Sequence, residues 1–221
     1  AWTFYDEYFG GNIFKRMAAG MMLGGLRKWD RDSNKSVHHF VAISRHVQDR
    51  IRRFYGRDAD VVYPPVDTER LTPSADPSRS FDLIVSALVP YKRLELAVQA
   101  YRALDFPLKI VGTGTELARL QSLASSNVEF LGWQSNEAIL DLYRNCRLLV
   151  FPGEEDFGLV PVEAQSCGRP VVAYAQGGAM ESIVENQTGI FFREQTPASL
   201  REGVKQCASR SWDVNAIRQN V

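Results

Sequence analysis

Cysteine is scarce in this sequence: Cys146, Cys167 and Cys207 are the only ones in 221 residues, and no two form a C-x-x-C pair. That excludes a disulfide-stapled module and a cysteine-based zinc motif. Buried free thiols in a reducing compartment are the expectation, which points to the cytoplasm. Histidine is equally rare, limited to His38, His39 and His46. There is no surplus of charge, with 26 Lys and Arg against 26 Asp and Glu. This balance excludes a nucleic-acid binder acting through bulk charge. No apolar run approaches the ~20 residues of a membrane-spanning helix. The nearest, Met17 to Leu26, contains three glycines and is flanked by Lys15-Arg16 and Arg27-Lys28. It reads as a packed helix; the alternative is a peripheral contact with an anionic membrane face. Internal repeats and low-complexity tracts are absent as well.

What is present is ordinary for a globular protein. Apolar residues make up 45% and charged residues 24% of the chain, enough for a core without metal or disulfide staples. The length fits one large domain, or one domain and part of another. The chain opens on Ala1 rather than Met, and its last residues look helical, so a fragment of a longer protein is expected. Residues 1–60 hold 11 basic and 7 acidic side chains, net +4, and the rest 15 and 19, net −4. Two structural units are the simplest source of that asymmetry. Asn34-Lys35-Ser36 and Asn186-Gln187-Thr188 match the glycosylation sequon, but no signal peptide accompanies them.

A helix broken by glycines is predicted over Asn12 to Trp29. A short strand comes next at Phe40–Ile43. Ser44 is a suitable N-cap for an amphipathic helix over Arg45 to Tyr55. Val61–Tyr63 reads as a strand that runs into Pro64-Pro65, which cannot continue a ladder. Residues 64–80 hold four prolines and read as a linker, separating residues 1–63 from 81–221. Beyond residue 81, apolar runs at Phe81–Ser86, Leu108–Val111, Val128–Phe130, Leu148–Phe151 and Val171–Ala173 alternate with helical patterns. Those patterns lie at Arg93–Ala103, Glu116–Ala124, Asn136–Arg144 and Leu159–Cys167, with weaker ones at Ala179–Glu185 and Pro197–Ala208. The alternation implies βαβ units, an α/β class and a doubly wound parallel sheet. Ligands of such sheets bind at the carboxyl ends of the strands.

The loops after the strands therefore carry the functional reading. Lys92 and Arg93 sit between the first strand and its helix, where they suit a phosphate clamp. Gly112-Thr113-Gly114-Thr115 begins a dinucleotide fingerprint but has Leu117 in place of the third glycine. A tight turn, with Thr113 or Thr115 capping the next helix, is the better reading. Glu154-Glu155-Asp156 comes after the fourth strand between Gly153 and Gly158, and a helix is predicted to start near Leu159. Its free amides suit phosphate oxygens. Glu163 has apolar neighbours in Val162 and Ala164 and needs a partner, for which ribose hydroxyls are one choice. Were the whole stretch helical, Glu155 and Glu163 would share a side and lie about 12 Å apart. Gly177-Gly178 lets a further loop pass close to a ligand.

Taken together, these segments resemble one family. Glu155-x7-Glu163, within E-D-F-G-L-V-P-V-E-A-Q-S-C-G-R-P-V-V-A, is similar to the E-x7-E motif of family 4 retaining glycosyltransferases. Gly177-Gly178-x-x-Glu181 and Asn186-x-Thr188-Gly189 match the family's next stretch, on the carboxyl side of that motif. Val85 to Arg93 resembles the family's phosphate loop, and Gly132-Trp133 with Asn136–Tyr143 resembles its base-binding loop and helix. Ser44 through Tyr63-Pro64-Pro65-Val66-Asp67 resembles the end of its amino-terminal domain and the linker. The resemblance spans residues 38–205.

It implies a GT-B fold of two Rossmann-like domains. Residues 1–63 would be a remnant of the acceptor domain, 64–80 the linker and 81–221 the nucleotide-sugar domain. It further implies that Glu155 is the catalytic carboxylate and, with Phe157 and Gly158, holds the donor sugar. Lys92, Arg93 and the amides of Leu159 and Val160 would hold the diphosphate. Glu163 would take the ribose, and Gly132 and Trp133 the base. No metal or other cofactor is required. The donor would be GDP- or UDP-linked, with a lean to GDP-mannose, and the acceptor a glycan or lipid-linked species of polysaccharide synthesis. No nucleic-acid partner is implied. Ser86-Ala87-Leu88 departs from the family's usual Gly-Arg-Leu and removes one phosphate contact, which Arg93 is placed to replace.

Two other readings compete. One is a non-catalytic nucleotide-sugar-binding module with the same pocket. The other is a metal-dependent transferase of a different fold, built on Asp30-Arg31-Asp32, although that triplet comes after a helix rather than a buried strand.

Overall fold

The structure, a computed structural model, describes the backbone of residues 13–221 and side chains from Leu23 onward. The chain divides into two units, Ala1–Tyr63 and Pro64–Val221. In the first, α1 (Ile13–Ser33) runs unbroken through Gly20, Gly24 and Gly25. The expected interruption does not occur, because a helical glycine costs only about 1 kcal/mol relative to alanine. The side chains of the apolar segment's first six residues, 17–22, lie outside the described residues. No described helix is long and apolar enough to cross a membrane.

The rest of this unit is a βαβ turn: β1 (Val41–Ala42), α2 (Arg45–Tyr55) and β2 (Asp60–Val61), with the strands parallel. Ser44 caps α2 by accepting the Val47 amide at 3.0 Å. Gly56, at φ 64°, ends it in the left-handed region where a side chain would be strained. Ala42, Ile51 and Ala59 form a small core against Phe40, Val47 and Tyr55. Asp30 accepts from the Tyr55 hydroxyl at 2.9 Å, and Asp32 pairs with Lys35 at 2.9 Å. Asp30-Arg31-Asp32 thus lies within α1 rather than after a helix, and both carboxylates are engaged within their own unit. Among the described residues no group of three His, Cys, Asp or Glu is placed to hold a metal.

The second unit is built on six parallel strands, β3 (Asp82–Val85), β4 (Leu108–Val111), β5 (Val128–Gly132), β6 (Leu149–Phe151), β7 (Val171–Tyr174) and β8 (Gly189–Phe192). Their order is β5-β4-β3-β6-β7-β8. The sheet is wound outward in both directions from the β3/β6 pair, which makes that pair the topological switch point. The helices are α3 (Leu94–Tyr101), α4 (Leu117–Leu123), α5 (Asn136–Asn145), α6 (Leu159–Ser166), α7 (Ala179–Ser182), α8 (Pro197–Ala208) and α9 (Val214–Gln219).

Each strand divides its residues between two cores. Ile84, Val150, Val172 and Ile190 pack with α3, α4 and α8, while Leu83, Leu149, Val171 and Phe191 pack with α5, α6 and α7. Burial on both faces explains why these strands read as unbroken apolar runs. The doubly wound α/β class expected from the sequence is the one found.

Residues 64–80, read as a linker, cluster with this unit. The reason is a pair of arginines. Arg144 donates to the Thr72 carbonyl at 2.8 Å and its hydroxyl at 2.6 Å. Arg218 on α9 donates to the carbonyls of Thr68, Leu71 and Ser166. At the amino end of β3, the fully buried Asp82 accepts two bonds from Arg147 and one from the Tyr101 hydroxyl. Cys146, Cys167 and Cys207 are buried free thiols.

Candidate functional site

The carboxyl ends of β3 and β6 are adjacent, so the loops that leave them lie side by side. After β3 the chain turns through a short 3-10 helix, Pro90–Lys92, and Arg93 at φ 54° opens α3. After β6 it runs through Pro152 to Gly158, and Gly158 at φ 86° opens α6 with no side-chain cap. The two loops touch. A Cβ on Gly153 would lie 2.9 Å from the Cα of Lys92, so only glycine permits the approach.

This contact brings Lys92 and Glu155 together, the ammonium paired with the carboxylate Oε1. Their side chains are 13% and 23% exposed, partly withdrawn from water but open at one side. A half-buried ion pair at a switch point is a preformed polar site. Arg93 lies beside them and approaches Glu95 at 3.5 Å.

The acidic loop is braced from behind by the loop after β7. Gly178 donates its amide to the Glu155 carbonyl at 2.8 Å. A Cβ on Gly177 would strike that same carbonyl, and one on Gly178 would strike the Cα of Phe157. The glycine pair therefore supports the acidic loop. Close passage to a ligand, the role expected from the sequence, is not what these contacts require.

The helical assumption that placed Glu155 and Glu163 on one side fails, because α6 begins at Leu159 and Glu155 lies in the loop before it. Leu159 is exposed and Val160 half-buried in the first turn of α6, where helix amides lack intrahelical acceptors. Phe157 and Gly158 are both buried. Gly132, at φ 66°, ends β5, and Trp133 beyond it is 76% exposed. No hydrogen bond, ion pair or ring contact joins Trp133 to Lys92, Glu155 or Glu163 among the described residues. The turn at Gly112 is present, at φ 131°, but neither threonine caps α4. Glu116 occupies that position without a side-chain bond.

Glu163 is half-buried on α6, and its partner was missed from the sequence. The Tyr143 hydroxyl, on α5, donates to Glu163 Oε2 at 2.8 Å. Tyr143 is fully buried. Burial pushes its phenol well above the usual range, and the Glu163 charge pushes it the same way. Its place on a helix matched to the base region was the only available signal, since a tyrosine at helical spacing otherwise reads as core.

Comparison with known proteins bears on the family and the fold. The family model for glycosyl transferases group 1 matches residues 67–220. An uncharacterized glycosyltransferase of Methanocaldococcus jannaschii is 28% identical over 169 residues, covering 74% of this chain and 48% of the relative. A D-inositol 3-phosphate glycosyltransferase of Mycolicibacterium smegmatis is 33% identical over 178 residues, 71% of this chain and 40% of the relative. The chain thus spans about half the length of these curated relatives, or less. Among solved structures, Anabaena HepE in complex with UDP and glucose superposes with a TM-score of 0.68 at 23% identity, covering 85% of this chain and 62% of that one. Such likeness bears on the fold, and the fold is the GT-B-type, Rossmann-like one expected. Because the family model matches well over half of its residues, the chain belongs to the glycosyl transferases group 1 family.

Proposed function

We propose that the second unit is the donor-binding domain of a retaining glycosyltransferase, transferring a sugar from a nucleoside diphosphate sugar to a glycan or lipid-linked acceptor. The observation that carries this reading is the meeting of Lys92 and Glu155 at the β3/β6 switch point. It joins a cation suited to phosphate with a carboxylate suited to sugar hydroxyls, where α/β sheets bind ligands.

In this reading Lys92, Arg93 and the first amides of α6 receive the diphosphate. As the bond from the sugar's anomeric carbon to the phosphate oxygen breaks, the acceptor hydroxyl oxygen bonds to that carbon, its proton passes to the departing diphosphate, and the positive ends offset the diphosphate's charge. A metal is not needed for that task. Glu155 then turns to the donor sugar, together with the main chain at Phe157 and Gly158. Glu163 accepts from ribose hydroxyls, and Gly132 and Trp133 border the base. The solved relative that contains UDP and glucose supports a uridine donor, alongside the GDP-mannose lean of the phosphate loop.

A panel of UDP, GDP and their sugars in a thermal-shift assay tests the binding, since a ligand bound only by the native state raises apparent stability. Anomeric configuration of the product, read by NMR with EDTA present, tests retention and metal independence. Binding without turnover on any acceptor would instead support a non-catalytic module.

A further inference from the structure

Glu163 and Tyr143 form a pair that two helices assemble from positions 20 residues apart. The tyrosine ring is wholly enclosed, packed in one core with Cys146, Ala164 and Cys167. Its phenol titrates far above neutrality, so in the working pH range it is always a proton donor. It donates to Oε2 alone. Oε1 of Glu163 has no hydrogen-bond partner among the described residues.

A carboxylate on a helix surface ordinarily samples several rotamers. One held through a single oxygen by an immobile ring does not. Oε2 is tied to that ring, which leaves Oε1 as the oxygen available to another donor. We infer that Tyr143 is a positioning residue that aims Oε1 of Glu163 at the ligand. It thereby sets the preference for a ribose bearing hydroxyls over one lacking them. This inference rests on the ribose role proposed for Glu163.

Affinities of the protein for UDP, GDP and their 2′,3′-dideoxy counterparts, measured by calorimetry, separate the two ideas. The readout is the ratio of ribose to dideoxyribose affinity for whichever base binds. The unaltered protein should prefer the ribose form by about tenfold or more, the value of a hydrogen bond to a charged group. Glu163→Ala should bring the ratio near one. Tyr143→Phe keeps the ring and its packing. It should reduce the ratio to about threefold or less, while leaving dideoxy affinity within about twofold.

A purely structural tyrosine would weaken both ligands alike and leave the ratio at its original value, which would overturn the inference. A wild-type ratio near one, or a preference that survives Glu163→Ala, would overturn the ribose role first and the positioning role with it. Failure of both UDP and GDP to bind would remove the donor-site reading on which both depend.

Discussion

Lys92 lies against Glu155, so the two proposed ligand contacts neutralise each other. A diphosphate at this place would compete with Glu155 for the ammonium. Lys92→Ala should lower affinity for a nucleoside diphosphate by about tenfold and hardly alter affinity for the nucleoside. Glu155→Gln should do the reverse for the free diphosphate, because the lysine is released from its partner. Calorimetry with UDP or GDP and the matching nucleoside checks both. Equal losses for nucleoside and diphosphate would exclude a phosphate role for Lys92.

Gly178→Ala places a methyl group against the Cα of Phe157 and the Asp156 carbonyl. Backbone cannot yield as a side-chain end can. The variant should lose about 1–3 kcal/mol of stability in urea titration, and donor affinity should fall with it, since the loop bearing Glu155 is displaced. Unaltered midpoint and affinity would show that the loop is not braced at this point.

Arg147→Ala leaves Asp82 buried without its bidentate partner. Breaking such a pair costs about 3–5 kcal/mol. Burial already holds the Asp82 carboxyl above its ordinary range, against the opposing pull of Arg147 and the Tyr101 hydroxyl. A raised folded pKa means that the stability contribution is full below the unfolded value near 4 and is lost as pH rises through the folded value. The penalty of Arg147→Ala should therefore be large at pH 7 and shrink towards pH 4. A penalty independent of pH would show that Asp82 is not the source.

How much of this was legible in the sequence depended on where each partner lay. The strands at Leu108–Val111 and Val171–Tyr174 were readable because both faces are buried. β8 was passed over because Gly189-Ile190-Phe191-Phe192 opens on a glycine and comes directly after a turn. The helical look of the last residues is borne out by the helix Val214–Gln219, which Asp213 caps by accepting from Asn215 and Ala216. The acidic loop stood out because it comes after a strand between Gly153 and Gly158, and Lys92 because it lies between a strand and the start of its helix. Tyr143 did not, because its meaning comes from a residue on another helix. The roles of Gly177 and Gly178 likewise depended on a loop 20 residues earlier in the chain.

The three cysteines give a further check. Burial pushes the Cys167 thiol up to about 11, and Cys146 and Cys207 further in the same direction. At pH 8 roughly one Cys167 in a thousand would be thiolate. Iodoacetamide should label none of the three in the native protein within minutes and all three in denaturant, as counted by mass spectrometry. Rapid native labelling of any one would mean that its helix opens readily.

Arg218 has a consequence for where the second unit opens first. By holding the carbonyls of Thr68 and Leu71 it brings the first residues of that unit beside its last helix. Residues some 150 positions apart in the chain are thus tied directly to one another. Arg218→Ala should therefore loosen the segment around Thr68 and Leu71 first, read as faster amide exchange there than in the central strands.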